Sequence, residues 1–257
     1  MRQFSDAHLA ALAVLSVTAS LSVWAARRHP GPWIVIWMRA LALLVLAGWI
    51  GEYVADAVLG TWSATYDLPL QLTDAVSLVT ILALWRPRRL LVELVYFWSL
   101  TASLQAILTP DLARSFPSVY YFTYFTYHLG AVVAACLLVF GCRLYPRPGA
   151  FLRVFAITLA FAVVVGAADV ITGGNYMYLR TKPAHNSLLS VMGTWPWYIA
   201  STAVLALAML YALQLLADWA RRHDSGPVTA APGAPRQTRP QASFRSAAAH
   251  IRPGRRN

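Results

Sequence analysis

The feature that most constrains this chain is the apolar stretch at residues 118–142, because it is long enough to cross a lipid bilayer. A membrane-spanning helix needs roughly 20 apolar residues. His128 lies well inside this stretch, with apolar and aromatic side chains on both sides. A titratable side chain at that depth is costly in lipid, so we expect it to face a partner or a polar cavity.

Similar apolar segments recur along the chain, and the rest of the composition agrees with them. Only 12% of the 257 residues are charged and 58% are hydrophobic, whereas a soluble domain carries about a quarter charged residues. We therefore predict an all-α polytopic membrane protein, with a domain of seven transmembrane helices at residues 1–222. The predicted spans cover residues 6–25, 33–59, 68–85, 90–108, 118–142, 151–171 and 195–219.

The distribution of basic residues predicts the orientation. Of the 21 Lys and Arg residues, sixteen fall in the tail and in the loops after spans one, three and five. Four fall on the other side, and Arg39 lies within span two. Because cytoplasmic loops are enriched in Lys and Arg, we expect the N-terminus to lie outside and the C-terminus in the cytoplasm.

The last segment, residues 223–257, is rich in Pro, Ala, Gly, Ser and Arg, so we predict a disordered basic cytoplasmic tail. Clustered arginine attracts anionic lipid headgroups, which we expect as partners of the tail. Nucleic-acid binding requires a folded reader or an aromatic platform, and the tail has neither. The oligomeric state stays open.

Polar residues gather in the half of the membrane predicted to face outwards. Six spans contribute to this group, whereas the inner halves hold little besides Arg39 and Glu93. Buried ionisable groups are costly unless they are paired, so we infer a polar pocket that opens outwards. Its candidate residues are Glu52, Asp56, Gln71, Thr73, Asp74, Gln105, Thr109, Asp111, His128, Asp169 and Asn175, with Trp195 at the start of span seven.

A purely structural explanation competes with function at these positions. Asp111 follows Pro110 and fits a solvated turn, and Asp169 and Asn175 fit the cap of a helix or its loop. Thr73 on a membrane helix commonly bonds the carbonyl four residues earlier. One hydrogen bond to a neighbouring helix would satisfy the imidazole of His128. The aromatic start of span seven, with Trp195, fits an interfacial anchor.

Three chemistries suit the polar group. A metal site is weakly supported because paired histidine or glutamate–histidine ligand motifs are missing, so we predict no metal and no cofactor. Buried carboxylates with a histidine suit a proton- or ion-coupled transporter. A nucleophile–base pair of Thr73 and His128 suits attack on an ester, with Asp74 or another carboxylate orienting the imidazole. Gln71 or Gln105 would then donate to the oxyanion.

Five blocks of the sequence carry a resemblance to a known family. Residues 68–74, 93–112, 122–130, 173–183 and 193–199 resemble the YwaF-like bacterial integral membrane proteins. That family is distantly similar to a vertebrate multi-span acyltransferase of ether-phospholipid synthesis. It is more remotely similar to the androgen-induced hydrolases of branched fatty-acid esters. The resemblance implies a multi-pass protein in the plasma membrane of a bacterium, with membrane lipids as partners.

The resemblance also implies catalytic residues. The two related enzyme groups use a Cys or a Thr nucleophile paired with a His on another helix. Carried over by motif, these positions are Thr73 and His128. We therefore expect a lipid ester hydrolase or acyltransferase, and the alternatives are a transporter or a non-catalytic membrane protein.

Overall fold

The computed structural model describes residues 3–112, 114–183 and 188–224. Within these ranges the chain forms seven long helices and no strand, which confirms the all-α class. Beyond Asp224, the predicted tail lies outside the described residues. The helices are α1 (Asp6–Arg28), α2 (Trp33–Leu59), α3 (Leu72–Trp85), α4 (Arg89–Leu108, π-helical at Ser99–Ser103), α5 (Val119–Gly141, π-helical at Leu137–Gly141), α6 (Ala150–Thr172) and α7 (Trp197–His223).

Six of these helices are long and apolar enough to cross a membrane, and α3 is the exception. With 14 residues, α3 is about 21 Å long, whereas the hydrocarbon core measures about 30 Å. The prediction started this segment at residue 68, but the helix begins at Leu72. Pro69 keeps the preceding residue out of helical conformation, and Gln71 is extended, with φ −69° and ψ 150°.

Helix α5 lies at the centre of the bundle. Its most apolar window is 72% buried, against 11% for α7. Helix α2 approaches it closely at two glycines: a Cβ added at Gly130 would lie 2.5 Å from Val45, and one at Gly48 would lie 3.0 Å from the backbone nitrogen of Tyr127. Small residues are what allow membrane helices to pack backbone against backbone, so α2 and α5 form a closely packed pair.

The two ends of the bundle differ in charge. At one end lie the starts of α1, α3, α5 and α7, and we call it the acidic end. At the opposite end, which we call the arginine end, Glu93 at the start of α4 is 1% exposed. Its carboxylate forms ion pairs with Arg147, at 2.8 Å, and with Arg153, at 3.2 Å.

A second carboxylate joins helix ends at the arginine end. Asp224, just after α7, pairs with Arg27 at 3.2 Å and with Arg143 at 3.0 Å. The hydroxyl of Tyr145 donates to the same oxygen at 2.6 Å. Burial and this hydrogen bond raise the pKa of Tyr145 to about 12. Three segments distant in sequence are thus held together by one carboxylate.

Candidate functional site

The first turn of α3 is held by Asp74, the third residue of that helix. One carboxylate oxygen accepts from the indole N–H of Trp49 at 2.9 Å and from the hydroxyl of Tyr53 at 2.8 Å. The other oxygen accepts from the backbone N–H of Gln71 at 2.9 Å. Asp74 therefore caps its own helix and attaches it to α2. Asp74 was one of the carboxylates that we considered for orienting the His128 imidazole, and the three donors to its carboxylate lie on α2 and at the start of α3.

Thr73 is the second residue of α3 and is half-buried. Its carbonyl accepts from the hydroxyl of Ser77 at 3.0 Å. Its own hydroxyl forms no hydrogen bond within the described ranges, so the expected bond to the carbonyl four residues earlier is absent. That carbonyl belongs to Pro69, which precedes the helix. The hydroxyl is therefore left for another partner.

Gln71 lies immediately before α3 and is held by a distant loop. Its side-chain oxygen accepts from the backbone N–H of Met177 at 2.9 Å, which leaves the amide NH2 as a donor. The first N–H groups of any helix lack partners within the helix, and here those of Leu72 and Thr73 belong to the two residues that follow Gln71. These donors are suited to a developing negative charge.

His128 is 2% exposed in the centre of α5. Its ring packs against those of Tyr124 and Tyr127, with centroids 4.4 and 4.2 Å away. Its Nδ1 is buried and has no hydrogen-bond partner among the described residues. Within the described part of the chain, no hydrogen bond joins this imidazole to Thr73. The ring thus packs between aromatic side chains, and its Nδ1 has no hydrogen-bond partner within the described ranges.

A second buried histidine, His8, was missed by the sequence reasoning. It is fully buried near the start of α1. Its Nδ1 accepts from the backbone N–H of Phe4 at 2.9 Å, so its Nε2 carries the hydrogen and donates to the carbonyl of Ile107 at 2.8 Å. Both nitrogens are used, so His8 joins α1 to α4. The sequence holds no signal for this pairing with a residue 99 positions away.

Glu52 lies on α2, close to Tyr127, the residue that precedes His128. It is half-buried, and the phenol of Tyr127 lies against its carboxyl. Asp56, one turn further along, accepts from the hydroxyls of Tyr120 at 2.7 Å and of Thr61 at 3.1 Å. Neutral hydroxyl groups therefore surround both carboxylates.

Gln105 and Asp111 lie on the exposed surface of the acidic end. The amide of Gln105 donates to the hydroxyl of Thr109, the residue that follows α4, at 2.8 Å. Gln105 was one of the two candidates for the oxyanion donor, and this hydrogen bond uses one of its amide hydrogens. Asp111 follows Pro110 in an exposed turn, which agrees with the structural explanation for this position.

The loop after α6 is built by Asp169 and Asn175. Asp169 is fully buried and accepts from the backbone N–H of Tyr176 at 2.8 Å, while its second oxygen has no partner in the described ranges. Asn175 accepts from the backbone N–H groups of Arg180 at 2.9 Å and Thr181 at 3.0 Å. Both side chains shape this loop. Trp195 is 63% exposed and donates to the carbonyl of Leu179 at 3.3 Å, as fits an interfacial anchor.

This loop covers the start of α3. The hydroxyl of Tyr176 donates to the carbonyl of Ala64 and accepts from the N–H of Leu68, both at 2.9 Å. Met177 and Tyr178 are consecutive residues with φ of 53° and 55°, a left-handed conformation that is unfavourable for bulky side chains. The strain shows that the surrounding contacts fix the loop, and nothing in the sequence predicted it.

The comparisons with known proteins then place the chain in a family. Residues 3–214 match the TMEM164 family. This chain belongs to the TMEM164 family. The matched region contains every candidate site residue, from Glu52 to Trp195. No curated protein matches the chain. No solved structure matches it either.

In this TMEM164-family protein the carboxylates at the two ends of the bundle differ in whether they form ion pairs. Of ten Asp and Glu residues, three lie at the arginine end, and all three form ion pairs with arginine. None of the other seven forms an ion pair within the described part of the chain, and no cluster of His, Cys, Asp and Glu there could hold a metal ion. The seven are Asp6, Glu52, Asp56, Asp67, Asp74, Asp111 and Asp169.

Proposed function

We propose that this TMEM164-family membrane protein is a lipid ester hydrolase or acyltransferase that uses Thr73 and His128. The observation that carries the proposal is the buried Nδ1 of His128, which has no hydrogen-bond partner among the described residues. A buried polar atom without a partner costs roughly 1–3 kcal/mol, and a catalytic role is one of the explanations for such an atom. The other buried histidine, His8, has both nitrogens bonded, so burial alone does not account for the difference.

The reaction has two steps. The oxygen of Thr73 attacks the carbonyl carbon of a lipid ester while its proton passes to His128. The ester C–O bond then breaks, the departing alcohol takes the proton from the imidazole, and an acyl-threonine ester forms. In the second step water or a lipid hydroxyl attacks that ester and gives its proton to His128. The acyl group passes to the attacking oxygen, the bond to the Thr73 oxygen breaks, and the imidazole returns the proton to that oxygen, which restores both residues.

The groups around Thr73 support these steps. The free amide of Gln71 and the backbone N–H groups at the start of α3 are donors for the oxyanion that forms on the ester carbonyl. Because no hydrogen bond joins Thr73 and His128 in the described part of the chain, substrate binding must bring them closer. Catalytic hydrogen bonds commonly tighten only in the substrate complex.

The location of the site follows from a finer topology, which is also part of the proposal. We infer that α3 completes seven spans, with the N-terminus outside. The arginine end carries most of the described Lys and Arg residues, as cytoplasmic ends do. The reaction then takes place in the outer half of a bacterial plasma membrane. Fusion of alkaline phosphatase to the C-terminus should give no activity, whereas active phosphatase would reverse the orientation.

Labelling with a fluorophosphonate probe tests the mechanism. The probe should modify Thr73, as located by peptide mass spectrometry, and Thr73→Ala and His128→Ala should both abolish the modification. Tyr121→Phe is a suitable control, since it removes a hydrogen bond to Ala7 at the same end of the bundle. Modification that persists in both alanine variants would exclude this mechanism.

Proton- or ion-coupled transport is the second candidate. It is favoured by Glu52, Asp74 and Asp169, which are half-buried or buried and have no ion pairs within the described ranges, since intramembrane carboxylates commonly serve proton relays. In that case Glu52→Gln should change pH-dependent uptake into liposomes and Thr73→Ala should leave it unchanged. Uptake that is absent, or that Glu52→Gln leaves unchanged, would exclude the transporter.

A further inference from the structure

We propose that Asp74 is a positioning residue, which fixes Thr73 relative to His128 through Trp49 and Tyr53. The inference rests on the proposed function of Thr73. It gives Asp74 a role other than orienting the imidazole of His128. Asp74 follows Thr73 directly in the first turn of α3. Asp74 is 8% exposed, and its carboxylate accepts three hydrogen bonds.

These three bonds fix the first turn of α3 in two directions. The bond from the backbone N–H of Gln71 holds the turn in helical form, as an acidic third residue does at many helix starts. The bonds from Trp49 and Tyr53 attach the same carboxylate to α2. A shift of Asp74 along or away from α2 would carry Thr73 with it, because the two residues are adjacent.

The two donors on α2 are themselves rigid. Trp49 and Tyr53 lie one helical turn apart, with ring centroids separated by 6.1 Å and planes at 83°. Their N–H and O–H groups reach the same carboxylate oxygen. Aromatic side chains have few rotatable bonds, so their packing against each other leaves little freedom in the position of that oxygen.

The position of α2 is fixed in turn against the helix that carries His128. Gly48 precedes Trp49, and a Cβ added there would lie 3.0 Å from the backbone nitrogen of Tyr127, which precedes His128. The close approach of these backbones therefore sets Trp49 in register with the imidazole. Thr73 is thus linked to α5 through its neighbour Asp74, the hydrogen bond of Asp74 to Trp49, and the close approach of Gly48 to α5.

A cysteine placed at residue 73 measures this positioning without any catalysis. Thr73→Cys is made in a Cys136→Ala, Cys142→Ala background, so that no other thiol is present, and the rate of modification by a small maleimide is recorded. Adding Trp49→Phe and Tyr53→Phe together removes the two bonds from α2 while the aromatic rings remain. We expect the rate to change by about tenfold, because the variant loses both hydrogen bonds that hold the Asp74 carboxylate on α2.

Matched controls separate positioning from general loss of stability. Trp98→Phe removes an indole hydrogen bond of 2.8 Å to Thr158, and Tyr121→Phe removes a phenol hydrogen bond of 2.6 Å to Ala7. Together they delete the same two kinds of donor elsewhere, and they should change the rate by less than about twofold. Equal changes in the test and control pairs would overturn the proposal.

A second measurement separates this proposal from the proposed function. With Thr73 intact, the Trp49→Phe, Tyr53→Phe variant should lower the maximal rate of fluorophosphonate labelling and leave the half-saturating probe concentration unchanged. If the unaltered protein is not labelled but the introduced thiol responds as expected, the enzyme proposal fails and the positioning role of Asp74 holds. If labelling occurs and the thiol rate does not respond, the enzyme stands and Asp74 is not a positioning residue.

Discussion

The two ends of the bundle hold their carboxylates by different means. At the arginine end Glu93 and Asp224 each bind two arginines, and these ion pairs connect segments distant in sequence. At the acidic end Asp74 is held by an indole, a phenol and a backbone N–H. The comparison shows that pairs of full charges connect the helix ends at the arginine end. At the acidic end neutral donors have this role, since Asp74 joins α3 to α2 and His8 joins α1 to α4.

The largest expected effect is at Glu93, because its carboxylate is buried and shared by two arginines. Breaking a buried pair of this kind costs roughly 3–5 kcal/mol. Side chains of Arg147 and Arg153 are 41% and 39% exposed, so solvent compensates them in part, and we expect about 2 kcal/mol for Glu93→Gln. Thermal unfolding in detergent measures the change. An unaltered melting temperature would contradict the role of this ion pair.

Asp224→Asn should have the next largest effect. The side chain is 7% exposed and pairs with Arg27 and Arg143, so we expect a loss of about 1–2 kcal/mol. The control is Asp218→Asn, which removes a pair between nearby residues of α7 at 2.9 Å and should cost less than about 0.5 kcal/mol. Equal losses would show that Asp224 does not connect the helix ends.

Glu52→Gln tests the other side of the comparison. Glu52 has no arginine or lysine partner in the described part of the chain, so neutralising it removes a poorly compensated charge. We expect the free energy of unfolding to stay within about 1 kcal/mol of the unaltered protein or to increase. The same assay as for Glu93→Gln applies, with the same change of acid to amide. A loss as large as that at Glu93 would mean that the two ends do not differ.

The smallest effect should be a change in pH dependence at Tyr145. Burial and the bond to Asp224 raise its pKa to about 12, whereas an unperturbed tyrosine titrates near 10. The protonated phenol therefore stabilises the fold fully below pH about 10, and this contribution is lost as the pH rises through about 12. Tyr145→Phe should flatten the fall in stability between these values. Tyr66→Phe, at a position 77% exposed, should not, and identical slopes would refute the assignment.

The fold was largely predictable because length and apolar content identify membrane helices in a sequence. The predicted span at 33–59 coincides with α2, and the central stretch at 118–142 became the most buried helix of the six candidates. The start of α3 was wrong by four residues, because an apolar count cannot register a proline turn and a side-chain cap. Whether α3 crosses the membrane stays a prediction.

The sequence predicted which end of the bundle holds the candidate polar residues, but it did not predict their contacts. The sequence placed the polar residues of several helices at one end, where the structure also has them. Helix rotation decides which side chains meet, and periodicity does not fix it for helices that are apolar all round. For that reason the bond of Asp74 to Trp49 and the bond of His8 to Ile107 became visible only in three dimensions.

The central claim is that Thr73 carries an acyl group taken from a lipid, with the help of His128. The most direct measurement is intact-mass and peptide analysis of the purified protein after incubation with phospholipid vesicles and rapid acid quenching. We expect an acyl adduct on the peptide that contains Thr73, and we expect no adduct in Thr73→Ala or His128→Ala. Turnover of lipid ester that continues unchanged in Thr73→Ala, with no adduct in the unaltered protein, would contradict this claim.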